Sequence, residues 1–389
     1  MRSRRGFAAL AGAALVAIGA VSAAAGSAGA AAAKAGLHFY PTYGSQQGAV
    51  RGPDGRIWLT AFMPPQWQGN PKGSQALDAV NPSTGSVSYY GPLLPYVGSK
   101  NAPTLFAYSN GAPAFDGGKN AWLIATATTA KGAQSYVLVR YTPGPSTTKY
   151  FAVPKTCAVP GGLTSASDGT VWASCGTTTS SATPKLLRVT SGGSIKEFTL
   201  KGETSIGAFA AGSAGSMWAV GRNKAGQATG LVRFTSAGTE TFFASPKGFA
   251  AQGVAGNGSG RLVEIAGCGS QTCYLTVSTS GKYKKVAVEP GKTAAISNTY
   301  GPTMDPKGNV WTLNDGTVAK TGQYFLELTA ANKVKGYAFT LPGGCGQLTV
   351  AGSPAATSDG SVWVESTSNC VPIAVPSNAF VGGIVRYVP

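Results

Sequence analysis

One hydrophobic pattern recurs seven times along the chain: a Gly-bearing turn, then a short apolar run that in six copies centres on Trp. The segments are GPDGRIWLTAF at 52–62, FDGGKNAWLIAT at 115–126, SASDGTVWASC at 165–175, GSAGSMWAVG at 212–221, GNGSGRLVEIAG at 256–267, MDPKGNVWTLND at 304–315 and TSDGSVWVEST at 357–367. The anchors are Trp58, Trp122, Trp172, Trp218, Leu262, Trp311 and Trp363, spaced 64, 50, 46, 44, 49 and 52 residues, with Leu262 standing at the Trp place in the fifth copy. A period of this length marks a repeat architecture.

Most copies continue alike. A second apolar run follows a polar loop: LVRY at 138–141, LLRV at 186–189, LVRF at 231–234, FLEL at 325–328 and IVRY at 384–387. Tight turns (TPGPS, TSGGS, TSAGT) lead to aromatic-bearing edge runs, KYFAVP, KEFTL, TFFASP and GYAFTLP. Four short strands in a unit of roughly 45–50 residues is the pattern of one propeller blade. Gly in the turn supplies the positive φ of a hairpin, and the Trp is the large side chain packed between neighbouring sheets. The expected fold is therefore all-β, a seven-bladed β-propeller occupying 31–389 as one domain.

The two ends of the chain predict how the ring closes. IVRYVP at 384–389 reads as the third strand of the last unit with no fourth after it, whereas LHFYPTY at 37–43 reads as a fourth strand without a blade. Their pairing would close the ring and remove exposed sheet edges. The single His of the chain, His38, then lies on an outer edge strand.

Residues 1–30 read as an export leader: a basic start, an uncharged apolar stretch and small residues that permit cleavage after Ala30 or a little later. Ser3-Arg4-Arg5-Gly6-Phe7 resembles the core of twin-arginine signals; the other reading is a general secretory signal with a chance Arg pair. Beyond it no apolar run reaches the ~20 residues of a membrane helix. The expected protein is secreted, with cell-wall association, no membrane span, no nucleic-acid partner and a monomeric state. The formal charge of +17 comes from 31 Lys+Arg against 14 Asp+Glu, and losing Arg2, Arg4 and Arg5 leaves about +14. These cations are scattered, which suits loose adherence to anionic polymer better than a nucleic-acid cleft.

Six Cys in an exported chain should pair. Fifteen connectivities exist, and the blade pattern favours the local ones: Cys157–Cys175, Cys268–Cys273 and Cys345–Cys370.

The PDGxxW-type turn together with the LxRxxxxG run resembles the streptogramin lyase (virginiamycin B lyase-like) propellers, and more loosely the NHL and gluconolactonase-like ones. The resemblance spans nearly the whole mature chain and implies the propeller fold. For activity it implies ester opening by elimination, with a general-base His and a magnesium ion. The propeller units contain no His, and the Glu of the family's W-F-T-E repeat is replaced by Ala61, Cys175, Gly221, Asn314 and Ser366. The family's chemistry thus carries over to no residue here.

Two candidate sites remain. Glu264, Asp315 and Glu365 lie on or just after the Trp-position strands of adjacent units, where they would either converge on Ca²⁺ or Mg²⁺ or stand as separate solvated carboxylates. The long first unit carries Trp67 in FMPPQWQGNPKGSQ and Tyr96 with Lys100 in GPLLPYVGSKNAPT. An aromatic in a Pro/Gly-braced loop is either a stacking platform for a glycan or peptide, or packing against the next blade. The favoured function is an extracellular binding module for a cell-wall polymer, glycan or peptide. The alternatives are a divalent-cation-dependent lyase or lactonase, and a surface protein without a small ligand.

Overall fold

The computed structural model describes residues 35–43, 45–63, 74–91, 104–106, 111–128, 134–157, 159–176, 184–201, 205–223, 226–269, 271–288, 301–314, 324–339, 354–366 and 381–389. They form seven antiparallel sheets, six of them laid down outwards in chain order from an innermost strand. Blade 1 is Ser45–Arg51, Ile57–Met63, Ser74–Val80 and Val87–Tyr90. Blades 2 to 6 follow the same plan, with the innermost strand of blade 2 split into Thr104–Phe106 and Ala114–Phe115. Blade 7 takes Ala355–Ala356, Val362–Ser366 and Val381–Val388 from the end of the chain. Its outermost strand, Gly36–Tyr43, comes from the beginning. The ring closes as the terminal patterns require, and His38 sits on that outer strand opposite Arg386.

Seven buried clusters fill the seams between consecutive blades. Trp58 with Leu123 and Val139 packs blade 1 to blade 2, for example, and Trp363 with Ile57 and Leu59 packs blade 7 to blade 1. Each Trp faces the following blade, while its neighbours in sequence face the preceding one, as the two-residue period of a strand dictates. An aromatic from the outermost strand lies over every Trp of its own blade. The pairs are Tyr90–Trp58 (5.0 Å between centroids), Phe151–Trp122 (5.3 Å), Phe198–Trp172 (5.5 Å), Phe243–Trp218 (5.2 Å), Tyr337–Trp311 (5.7 Å) and Tyr40–Trp363 (5.3 Å). This is why the edge runs carry aromatics. A fully buried large apolar side chain stabilises by ~1.5–3 kcal/mol, and a well-placed aromatic pair adds ~0.5–1.5 kcal/mol.

A residue of positive φ stands three places before the Trp in every blade: Gly55, Lys119, Gly169, Gly215, Gly308 and Gly360. In blade 5 that residue is Gly260, at φ 100°. Counting three places on gives Val263, and the packing agrees. Val263 lies in the seam with blade 6, whereas Leu262 lies in the seam with blade 4 beside Trp218. The Trp position of the fifth copy is therefore Val263 rather than Leu262. The lost indole volume is met from the third strand, where Tyr274 is fully buried at a place held elsewhere by Leu77, Leu138, Leu186 and Leu231.

Arginines fasten one blade to the next. Arg140 of blade 2 donates to the Ser191 carbonyl in a turn of blade 3, and Arg233 of blade 4 to Thr279 of blade 5 (2.5 Å). Arg261 of blade 5 donates to the carbonyls of Ala330 (2.5 Å) and Thr329 (3.2 Å) and to Asn332 Oδ1 (3.0 Å) in a turn of blade 6. Two disulfides join Cys157 to Cys175 and Cys268 to Cys273, as the local pairing expects. Cys345 and Cys370 lie outside the described residues. No described helix is long and apolar enough to cross a membrane.

Candidate functional site

The innermost strands of all seven blades converge on a central cavity of ≈ 740 Å³. Strands that meet near an axis leave little room for side chains, so the wall is built largely of Gly, Ala and Pro, including Gly111, Gly162, Gly207, Pro302 and Pro354. At Gly162 an added Cβ would meet nothing within 4 Å, so this stretch of backbone borders open space. Thr164, Ser174 and Thr303 bring hydroxyls to the wall. Among the described lining residues no carboxylate and no His occurs, and Arg51 is the one charged side chain. Chemically this is a cavity of mixed polar and apolar surface, with hydroxyl and backbone hydrogen-bonding groups and one cation, dimensions and character that suit an organic ligand.

The two described carboxylates of the expected metal set sit elsewhere. Glu264 faces blade 4: it pairs with Val254 across the sheet, and its Oε1 accepts a hydrogen bond from Ser245 Oγ (2.9 Å). It is fully buried, and its Oε2 has no hydrogen-bond partner among the described residues. Burial pushes this carboxyl up to about 7, against the hydrogen bonding of Ser245 and Tyr283, which pulls the other way. Glu365, also buried, lies two places beyond Trp363 and opposite Ile384, so it faces blade 1. The pair therefore occupies different seams, and Asp315 lies outside the described residues. No group of three or more His, Cys, Asp or Glu side chains suited to a metal ion occurs among the described residues.

The fold matches that of a streptogramin B lyase. A solved streptogramin B lyase superposes with a TM-score of 0.54 at 15% identity, over 90% of this chain and 98% of that one. The virginiamycin B lyase from Staphylococcus aureus gives the same TM-score and identity over 90% of this chain and 100% of its own. No protein-family model matches the sequence, and no curated protein does. Identity this low shows a shared architecture, and one propeller hosts many chemistries.

Trp67, Tyr96 and Lys100 of the long first unit lie outside the described residues. Arg51 escaped the sequence reading, although a signal for it existed. The residue just before each Gly-bearing turn is Arg51, Phe115, Ser165, Ala211, Gly256, Met304 or Ala356, and Arg51 alone among these is charged. Aligning the copies on their turns isolates it.

Proposed function

We propose that this chain is an exported β-propeller that works as an extracellular binding module, receiving a glycan or peptide at its central cavity and the adjoining face. The observation that carries this reading is the ≈ 740 Å³ cavity, whose described wall holds no acid–base pair and one cation. Concave sites that combine apolar surface with placed polar groups are where ligands bind. The two disulfides suit an oxidising compartment, in keeping with the leader at 1–30. Trp67 and Tyr96, aromatics of the long first unit, are the stacking platforms this reading draws on.

The test is binding of the purified protein to glycan and peptide arrays, repeated with Gly162→Phe, whose Cβ would meet no neighbour within 4 Å. A ligand captured by the parent protein and lost by Gly162→Phe supports the reading. Trp67→Ala should weaken the same binding. An unchanged signal with Gly162→Phe removes the cavity as the site.

A second reading, a divalent-cation-dependent lyase or lactonase, is favoured by the likeness of fold to the streptogramin B lyases. The set expected for it is Glu264, Asp315 and Glu365 with Ca²⁺ or Mg²⁺, but Glu264 and Glu365 occupy different seams and would not share one ion. Calorimetric titration with both ions tests it. Cation affinity unchanged by Glu264→Gln together with Glu365→Gln would sink that metal site.

A further inference from the structure

Eight arginines lie among the described residues, and seven of them are already engaged. Arg56, Arg188 and Arg386 pair with Asp54 (2.7 Å), Asp168 (2.9 Å) and Asp359 (2.6 Å). Arg140, Arg222, Arg233 and Arg261 donate to the backbone carbonyls of Ser191, Gly226, Thr279 and Ala330. Arg51 is the eighth. It is exposed and has no hydrogen bond, ion pair or ring contact among the described residues. It is also the one charged side chain in the described wall of the central cavity.

No described carboxylate serves it. Arg51 ends the innermost strand of blade 1, so it stands at the end of the cavity where innermost strands turn back into second strands. The turns at that end carry Asp54, Asp116, Asp168, Asp305 and Asp359, and each is taken up within its own blade. Besides the three arginine pairs, Asp116 accepts from Trp122 Nε1 and Asn120 Nδ2, at 2.8 Å each. Asp305 accepts from the Asn309 backbone N–H and side-chain amide, also at 2.8 Å each. Along the rest of the wall the innermost strands end their sheets, so their inward backbone edges face the axis without a further strand. Together with the hydroxyls of Thr164, Ser174 and Thr303, these edges offer hydrogen-bond donors and acceptors around the circumference.

We propose that Arg51 receives a carboxylate of the cavity's ligand, and that this ligand is an acidic saccharide carrying one uronate. The inference rests on the reading of the cavity as the binding site and adds the class of its ligand. A guanidinium stays protonated and holds its donors in a planar fork, which fits a carboxylate through two parallel hydrogen bonds. One cation, with no second among the described lining residues, balances a single negative charge. A phosphate dianion or a polyanion entering the cavity would leave charge unmet. Sugar hydroxyls donate and accept at once and point to several sides of the ring, as this wall requires. A peptide strand would pair with one strand edge and leave the other edges unmet.

The experiment presents the purified protein with uronate-bearing di- to tetrasaccharides, each beside its carboxyl-reduced neutral counterpart. A second array carries peptides with free and amidated C-termini, and hits are titrated calorimetrically. The parent should bind a uronate saccharide about tenfold or more tightly than its reduced counterpart. Arg51→Gln should lose that preference while still binding the neutral form, and Arg51→Lys should keep only part of it, because the fork is gone. Lys149→Gln, exposed on the outermost strand of blade 2, removes the same charge and should change neither affinity. Arg51 has no described partner to lose, so its variants should unfold thermally with the parent. Saccharide binding that Gly162→Phe abolishes but Arg51→Gln leaves unchanged overturns the role of Arg51 and keeps the cavity. Binding that survives Gly162→Phe, or no binding to either array, overturns the cavity reading and this inference with it. Selection of free-carboxylate peptides over saccharides overturns the saccharide class.

Discussion

Tyr40 stacks on Trp363 with ring centroids 5.3 Å apart. A residue from the first described strand thus completes the core of the last blade, in the place that Tyr90, Phe151, Phe198, Phe243 and Tyr337 fill from within their own blades. Tyr40→Ala should cost about 1–3 kcal/mol, and Tyr40→Phe less than about 1 kcal/mol. Urea unfolding measures both. Tyr150, an exposed aromatic on the outermost strand of blade 2, is the reference. A Tyr40→Ala loss no larger than that of Tyr150→Ala would mean the closing strand contributes little to the ring.

Val263 and Tyr274 should behave as a coupled pair. Restoring the repeat's residue with Val263→Trp places an indole where Tyr274 already fills the seam, and overpacking costs about 1–3 kcal/mol. Tyr274→Leu alone leaves a cavity. The double change recreates the arrangement of the other blades, so its cost should be well below the sum of the single costs. Additive effects in the double-mutant cycle would contradict the compensation.

Glu264 makes stability depend on pH in a direction opposite to most carboxylates. Its folded value of about 7 lies above the ordinary 4.5, so between these values the folded protein keeps a proton that the unfolded chain has released. Stability from this group therefore falls as pH rises through that window and is level above it. Glu264→Gln removes the dependence. Thermal unfolding should show the variant gaining on the parent from pH 5 to pH 8, by up to about 3 kcal/mol. A variant that instead loses ground as pH rises would refute the assignment. Asp168 and Asp359 act oppositely. Burial alone would raise them, but hydrogen bonds from Thr170 and Arg188, and from Thr357 and Ser361 with the charge of Arg386, hold them below the usual range. Their contribution is lost only as pH falls below about 4.

Reduction should weaken the fold unequally. Cys157 and Cys175 are 18 residues apart and Cys268 and Cys273 are 5 apart. On the chain-entropy account the longer loop is worth about 3 kcal/mol and the shorter about 2 kcal/mol. Denaturant unfolding of Cys157→Ser/Cys175→Ser and Cys268→Ser/Cys273→Ser compares them directly.

The blades were legible because the turn and Trp recur together, and ring closure because LHFYPTY and IVRYVP are complementary halves of one sheet. Blade 5 was misread by one place, since Leu262 and Val263 are adjacent and both apolar. The deciding feature is a backbone dihedral at Gly260, which apolar pattern alone does not report. That single place matters for Glu264 and Glu365. One follows its anchor by one residue and the other by two, so the pleat turns them to opposite faces and into different seams. The stacking of edge aromatics on Trp was also hidden, because it depends on strand register rather than on composition.

Gly36 lies opposite Val388 on the outermost pair of strands in blade 7. Both ends of the described chain therefore leave the ring at one point on its circumference, a full blade's width from the axis. A tag, a tether or a fused domain attached there would hang from the rim and leave the central opening clear. Joining those ends and cutting the chain between two other blades should give a circular permutant that assembles the same ring.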